Sequence, residues 1–444
     1  MLAEMFSLRK FILPIAIAGL LVIFGLNLQS WGVNQAFFNN MVVIDNFSVA
    51  FSGLLLLLGV LVLLLSGSFY KNEEAKISDY LAITIFTLCG ALALVSFGNM
   101  AMFFLGIEVL SISLYILAGS KRKDIKSNEA AMKYFLMGSF ASGLLLFGIA
   151  LVYGETGSFD VQGIAEYVTN STPSIMYYIG AALILVALLF KVSAAPFHFW
   201  APDVYEGSPT LTTATMATVA KISAFAAFYR LFSGSLNTVF TVPAFAWVLS
   251  AVTALTMLVG NLSALNQDSF KRMLAFSGIS HAGYLLLAII SLYNKTDNAL
   301  FFYSVAYGVA SVAAFAVAIV VAANTGSEKF EAFNGLGKRK PLLAVALTIA
   351  MLSMAGIPPF AGFFGKYYIF SEAVKAGHLG LVILAVVNSI IGVYYYFKVI
   401  MAMYTKPSSD VTFNVKPAYS FVIAICILIS LIAGVYPTLL ANLL

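Results

Sequence analysis

An all-α polytopic membrane protein is the fold class this sequence predicts, on three observations. Of 444 residues, 61% are hydrophobic and only 10% are charged, whereas a soluble globular chain carries about 25% charged residues. Apolar runs of 18 or more residues recur from end to end, each long enough to cross roughly 30 Å of hydrocarbon as a helix. Basic residues gather at the ends of those runs.

The length rule gives about thirteen transmembrane helices. In order they are 11–28, 46–66, 79–97, 100–119, 129–152, 174–200, 209–232, 241–262, 270–292, 299–323, 341–371, 379–404 and 418–440. The first follows "SLRK" and has the look of a signal peptide. No small-residue cleavage site ends it, so it is a retained span. The polar connections 153–173 and 324–340 are too short to fold alone, which leaves no soluble domain.

The basic residues test that count. With the N-terminus in the cytoplasm, the inner side collects Arg9, Lys10, Lys71, Lys76, "KRKDIK" at 121–126, Lys271, Arg272, Lys329, "KRK" at 338–340, Lys406 and Lys416. The outer side gets only Arg230, Lys295 and Lys375. The positive-inside rule therefore predicts a cytoplasmic N-terminus and an external C-terminus. The formal charge of +5 points to no nucleic-acid partner, because the cations sit at helix ends. Cys89 and Cys426 lie within apolar runs with no Cys-x-x-Cys, so neither an iron–sulfur cluster nor a disulfide framework is indicated. The three histidines, His198, His281 and His378, argue against a multi-haem protein.

Two spans are too long for a straight crossing and carry proline: 174–200 with Pro196, and 341–371 with "AGIPPFAGFFGKYY". Proline removes a backbone donor and clashes one turn back. Both read as broken helices, tolerated in a bilayer only where protein or a wet cavity surrounds them. "AAPFHFW" aligns with "IPPFAGFF" at an offset of 163, and Tyr115 in "LYILA" with Tyr284 in "YLLLA" at 169. Two units expected to hold five helices each, 100–232 and 270–404, come out in order, although those bounds enclose four of the spans apiece. Five being odd, the second would be inverted in the membrane, as in ion-handling transporters. The remainder divides into N-terminal peripheral helices in 1–99, a helix at 241–262 at the boundary of the second unit, and a C-terminal helix in 418–444.

Five lysines and one acid fall inside spans: Lys133, Lys191, Lys221, Lys366, Lys398 and Glu108. A lysine at the bilayer centre costs about 3 kcal/mol, which a dozen Leu, Ile or Phe can absorb. Such groups usually face the bundle interior and mark ion or proton paths. Lys191, in "FKVSAAPFHFW", is either a proton carrier beside the break or a structural counter-charge for Glu108. A Glu–Lys pair at about 5 Å in a dielectric near 20 couples by about 3 kcal/mol. A membrane potential near 150 mV is worth about 3.5 kcal/mol per charge. Making or breaking one such contact is of the right size to load or expel a proton.

Lys221 follows "PTLTTATMATVA", with Thr218 one turn back. It is a hydrated relay or a threonine-capped packing residue. Lys366, after the second break, is a candidate for the far end of a path. Lys133 lies four residues into its span and can snorkel to the surface, and Lys398 reads as a snorkelling anchor. His198 can pass protons or simply pack. His281 has Ser277 one turn back and Tyr284 one turn on, and Ser304, Tyr307 and Ser311 repeat that stripe on the next span, a wetted axis. Asp203 and Glu206 in "APDVYEG" are loop acids or the start of a helix.

The stretch "FKVSAAPFHFWAPDVYEGSPTLTTATMATVAKISAF", with "FLGIEVLSISLYILAG", "KRMLAFSGISHAGYLLLA", "AGIPPFAGFFGKYY" and "IGVYYYFKV", closely resembles the subunit N family of bacterial NADH–quinone oxidoreductase, respiratory complex I. The resemblance covers about 80 to 405. It implies two inverted five-helix antiporter-like units and a proton path through Glu108, Lys133, Lys191, His198, Lys221 and Lys366, to which the polar stripe read above adds His281 as a candidate. It implies no cofactor in this chain; NAD, FMN, iron–sulfur clusters and quinone belong to the rest of the complex. Partners would be neighbouring antiporter-like and small membrane subunits in a bacterial inner membrane. Against the family's usual fourteen spans and external N-terminus, this chain reads as lacking the first helix, through a start-site error or a lineage truncation. Two rival functions share the sequence features: an Mrp-type or stand-alone sodium/proton antiporter, and a structural membrane scaffold.

Overall fold

The computed structural model describes residues 9–70, 77–292, 296–407 and 412–444. Lys71, Lys76, Lys295 and the side chain of Arg9, which entered the charge count, lie outside the described residues. Helix α1 (Arg9–Gln29) leads to a short antiparallel hairpin, β1 (Gln35–Phe37) and β2 (Val42–Ile44). The sequence did not announce this hairpin. Its turn places Phe38, Asn39 and Asn40 at φ 54, 55 and 62, a region asparagine visits more readily than most residues.

There follow α2 (Asn46–Phe69), α3 (Ile77–Ser96), α4 (Met100–Ala118), α5 (Ile125–Thr156) and the short surface helix α6 (Val161–Asn170). Asp45, Asn99, Asp124 and Asp160 cap α2, α4, α5 and α6 by accepting from early backbone N–H groups, which satisfies donors the helix itself cannot. Next come α7 (Ile175–Lys191), α8 (Trp200–Gly207), α9 (Thr210–Ser233), α10 (Pro243–Leu265), α11 (Phe270–Ile290) and α12 (Asp297–Thr325). The last are α13 (Pro341–Ala355), α14 (Ala361–Lys375), α15 (Leu379–Thr405) and α16 (Pro417–Val435).

Among the described residues eleven helices are long and apolar enough to cross a membrane, and α7 and α13 are shorter apolar helices. The helical membrane fold expected from composition is the one observed. Both expected breaks are present. The run 174–200 is helical only to Lys191 and resumes as α8 at Trp200, its last residue, running on to Gly207. The run 341–371 stops at Ala355 and resumes at Ala361. The Ala195–Pro196 and Pro358–Pro359 peptide bonds are cis. Helix α9 is continuous but contains a π-helical stretch at Met216–Ala220, just before Lys221.

Burial sorts the helices. The most apolar window of α9 is wholly enclosed by protein, and those of α11 and α12 are 94% buried, against 6% for α1. The threonine- and lysine-bearing α9 thus lies in the middle, where polar groups find protein partners that lipid cannot offer. Glycines set the tightest crossings. A Cβ on Gly90 of α3 would lie 2.5 Å from the Leu110 nitrogen of α4, and one on Gly260 of α10 would lie 2.4 Å from the Ser280 nitrogen of α11. Close backbone approach is how helices associate where no hydrophobic effect drives them.

A connection pattern occurs twice. The Met100 N–H donates to Phe159 O and the Val161 N–H to Gly98 O; the Phe270 N–H donates to Glu328 O and the Phe330 N–H to Asp268 O. Gly157 and Gly326 end α5 and α12 at φ 67 and 71, followed by Ser158 and Ser327 making the same side-chain bonds. Each second member lies 169 or 170 positions after its counterpart.

Candidate functional site

At the first break the freed backbone groups are met by protein. The Phe190 carbonyl accepts from the Trp200 indole at 3.1 Å, and the Ala195 N–H donates to Thr256 Oγ1 at 2.9 Å. The Lys191 ammonium donates to Ser111 Oγ of α4 and lies 5.8 Å from the Tyr134 ring centre. Glu108, one turn before Ser111 on α4, accepts from Ser142 of α5. Among the described residues no ion pair within 4.0 Å joins Glu108 to Lys191. The hydrogen bonds of the two groups go to hydroxyls, Ser111 for Lys191 and Ser142 for Glu108. Residues three apart share a helix face, and Ser111 takes the ammonium in place of the carboxylate.

Lys133 does not end in water alone. It pairs with Asp203 at 2.8 Å and Glu129 at 2.7 Å. Arg272 of α11 grips both Asp203 at 2.8 Å and Glu206 at 2.9 Å. The two acids thus join α5, α8 and α11 in one charged knot. Burial disfavours the ionised Asp203 carboxyl, but hydrogen bonds from Lys133 and Arg272 outweigh it and hold its pKa below the usual range. His198 is half-buried against Phe199, and its Nδ1 has no hydrogen-bond partner among the described residues. Among the described residues no hydrogen bond joins it to Lys191, Lys221 or Lys366.

Lys221 sits at the centre of the molecule, 3% exposed. Its ammonium donates to the Gly278 carbonyl of α11 at 2.7 Å and lies 5.9 Å from the Tyr307 ring of α12. Thr215 and Thr218 donate to the Leu211 and Ala214 carbonyls of their own helix, the usual back-bond of a hydroxyl in a helix interior. The lysine is held by a neighbouring helix instead.

One turn beyond Gly278, His281 places Nδ1 at 2.6 Å from the Tyr303 hydroxyl and Nε2 at 3.0 Å from the Tyr396 hydroxyl, which also bonds Ser277. His281, Tyr303, Tyr307, Gly362 and Lys366 line one small cavity of about 10 Å³, close to what one water needs. Lys366, itself buried, donates to Ala355 O at 2.9 Å and Ser389 Oγ at 2.7 Å, 4.9 Å from the Tyr284 ring. Its other side opens on an apolar groove of about 600 Å³ between α14 and α15. Ser304 donates to its own helix, so the stripe is made by Tyr303 and Tyr307 rather than Ser304.

Lys398 donates to the Gln267 carbonyl at 3.2 Å, over Phe330. Sequence reading missed Tyr303, Tyr396, Ser111, Ser142 and Ser389. Only Tyr396 carried a signal, as one of three tyrosines in "VYYYF". Lysine offers donors only, whereas histidine and tyrosine both donate and accept. The run from Lys221 through His281 to Lys366 therefore alternates donors with groups that both donate and accept. Among the described residues no cluster of His, Cys, Asp or Glu could hold a metal ion.

Residues 98–392 match the family model for NADH:quinone oxidoreductase/Mrp antiporter transmembrane proteins. The chain is 50% identical to NADH-quinone oxidoreductase subunit N of Flavobacterium psychrophilum, over 100% of its own length and 97% of the relative's. It superimposes on a chain of respiratory complex I from Thermus thermophilus with TM-score 0.83 and 35% identity, covering 98% and 93% of the two chains. A chain of the Mrp complex from Dietzia sp. matches its fold at TM-score 0.83 with 22% identity, over 99% and 90%.

Proposed function

We propose that this chain, which belongs to the NADH:quinone oxidoreductase/Mrp antiporter family of membrane proteins, moves protons through its buried lysines and histidine as the antiporter-like subunit N of NADH–quinone oxidoreductase. The observation that carries the reading is the contiguous polar run in an apolar core: Lys221 on Gly278, His281 between Tyr303 and Tyr396, and the cavity His281 shares with Lys366. Glu108 and Lys191 form the near end and Lys366 the far end, with Lys133 feeding the near end. Electron transfer from NADH through FMN and iron–sulfur clusters to quinone takes place in partner subunits, and its energy reaches this chain through neighbouring membrane subunits.

The Mrp-type antiporter reading is weaker, because identity is 50% to subunit N and 22% to the Mrp chain. The recurring connections at 169–170 residues support two related units. The Gly90 and Gly260 crossings extend them to include α3 and α10, which the bounds 100–232 and 270–404 leave out. An odd helix count per unit and the clustering of cations, as in 121–126 and 338–340, favour inverted units with the 119–126 loop in the bacterial cytoplasm.

The test compares Lys221→Arg with Lys221→Ala in the assembled complex, reconstituted in vesicles. Arginine keeps the charge but does not release a proton. A relay predicts that both variants lose NADH-driven proton uptake, by about tenfold or more. A fixed structural charge predicts rescue by arginine, and that result would overturn the reading.

A further inference from the structure

Helix α15 carries two adjacent pairs of polar residues two turns apart, Asn388–Ser389 and Tyr395–Tyr396. One member of each pair serves the buried run. Ser389 takes the Lys366 ammonium at 2.7 Å, and the Tyr396 hydroxyl lies 3.0 Å from His281 Nε2. The other members turn to α10. The Tyr395 hydroxyl donates to Asn261 Oδ1 at 2.9 Å. Asn261 Nδ2 donates to Asn388 Oδ1 at 3.3 Å, to the Tyr284 hydroxyl of α11 at 3.2 Å and to the Met257 carbonyl of its own helix at 3.0 Å. The Tyr284 ring is the one beside Lys366. Asn261 and Asn388 are fully buried, so an amide that lost its partners here would find no water to replace them.

The crossing that carries Asn261 does not itself demand an amide. Gly260 meets Ser280 N and Phe276 O of α11, and Gly90 meets Leu110 N and Gly106 O of α4, each 170 positions before its counterpart. The residue after Gly90 is Ala91, fully buried; the residue after Gly260 is Asn261. A crossing that closes over alanine in one copy needs no amide in the other. What the amide adds is a hold on α15. Residues seven apart lie on nearly the same helix face, so Asn388, Gly392 and Tyr395 form one stripe against Asn261. Gly392 leaves room for it, since a Cβ there would lie 3.3 Å from Asn261 Oδ1. Ser389 and Tyr396 form the next stripe, and its rotation follows that of the first. A turn of α15 by about 10° moves a side-chain atom, roughly 5–6 Å from the axis, by about 1 Å. That takes the 2.7 Å bond between Ser389 and Lys366 out of range.

We propose that Asn261 is a positioning residue for the proton run. Through Tyr395 and Asn388 it locks α15 in the rotation that brings Ser389 to Lys366 and Tyr396 to His281, and through Tyr284 it holds the ring beside Lys366. Asparagine suits the task because one amide offers an acceptor to one tyrosine and donors to another tyrosine and to a second asparagine. Leucine, of similar size, offers neither. A buried polar network whose members are all satisfied fixes one arrangement of the helices that share it. This inference rests on the relay reading of His281 and Lys366.

Its test uses the assembled complex in vesicles and reads, against pH, the share of NADH-driven proton uptake that Lys366→Ala removes. The titrating groups that face Lys366 are His281, Tyr303 and Tyr307 across the small cavity and Tyr284 beside it, with Tyr367 and Lys375 along the outer groove. Asn261→Leu should slow that share by about tenfold and move the midpoint of its pH profile by about half a pH unit or more, in the same direction as Ser389→Ala. Ser389→Ala added to Asn261→Leu should move the midpoint no further, because the hydroxyl has already left the ammonium. Tyr395→Phe, which takes away a single hydroxyl, should show the same pattern with a loss of about threefold. Wild-type uptake in Asn261→Leu overturns the lock, and so does slowed uptake with the wild-type midpoint, which a merely structural amide predicts. A midpoint unmoved by Ser389→Ala, or moved as far in the Asn261→Leu background as in wild type, overturns it too. Where Asn261→Leu fails to assemble, Tyr395→Phe with and without Ser389→Ala decides by the same criteria. Wild-type uptake in Lys366→Ala overturns the relay reading itself and this inference with it, whereas a loss in Lys366→Ala beside an unaffected Asn261→Leu overturns the lock alone.

Discussion

The two helix breaks solve one problem from opposite sides. Each exposes the carbonyl end of a half-helix, which carries partial negative charge, and each meets it with a lysine. Lys191 is the last residue of its own half-helix. Lys366 belongs to the half after the break and reaches back to the carbonyl of Ala355, the last residue before it. Around Lys191 there is a carboxylate, Glu108, one turn from the hydroxyl that takes its ammonium. Around Lys366 the partners are a carbonyl, a hydroxyl and a ring.

The packing differs in the same sense. At the second break Gly362 lies against Ser353 O and Gly434 of α16 against Pro359 O, so close that a Cβ would stand 1.8 Å and 1.9 Å away. At the first break Ala194 and Ala195 are fully buried and carry their Cβ already. The first break is open to control by a neighbouring charge, and the second is held by shape.

The largest effect should come from disturbing the shape. Gly434→Ala should destabilise the protein by about 3 kcal/mol through overpacking, read as a lower thermal unfolding midpoint of the purified protein. An unchanged midpoint would show that the second break is no more tightly packed than the first.

Removing the neighbouring charge comes next. Glu108→Ala should cut proton uptake by about tenfold with assembly intact, and Glu108→Asp should be milder. Wild-type uptake in Glu108→Ala would make the two breaks electrostatically alike and end the comparison.

The hydroxyl partners separate the breaks more finely. Ser111→Ala should cost about 1 kcal/mol, roughly fivefold in transfer rate. Ser389→Ala should cost less, because Lys366 keeps the Ala355 carbonyl. Equal losses in uptake assays would contradict that ranking.

The smallest effect belongs to the knot behind the first break. The Asp203 carboxyl titrates below the usual range. Its stabilisation is therefore present above the ordinary carboxyl range and is lost as pH falls through the lowered value. Asp203→Asn should lower the unfolding midpoint slightly at neutral pH, since solvent screens a partly exposed pair. The difference should shrink as pH falls below the ordinary carboxyl range; a gap as large in acid as at neutral pH would show that Asp203 acts through packing.

What the sequence determined by itself is the part governed by local physics. Apolar run length placed the membrane helices, because a helix in lipid must satisfy its own backbone. Pro196 and the pair Pro358 and Pro359 located both breaks, because proline lacks the donor a continuous helix needs. Mid-span charge singled out Lys191, Lys221, Lys366 and Glu108, because an ion in hydrocarbon needs a reason. Partners were another matter. That Lys191 would meet Ser111 rather than Glu108, that Thr218 would turn to its own helix and leave Lys221 to Gly278, and that Tyr303 and Tyr396 would bracket His281 depend on how α4, α9, α11, α12 and α15 cross. Lys271 read as one more cation at a helix end, yet it is buried against Glu328, 57 residues on. Hydrogen bonds act over about 3 Å, so partners on different helices are chosen by helix rotation and crossing, which only the packed bundle settles.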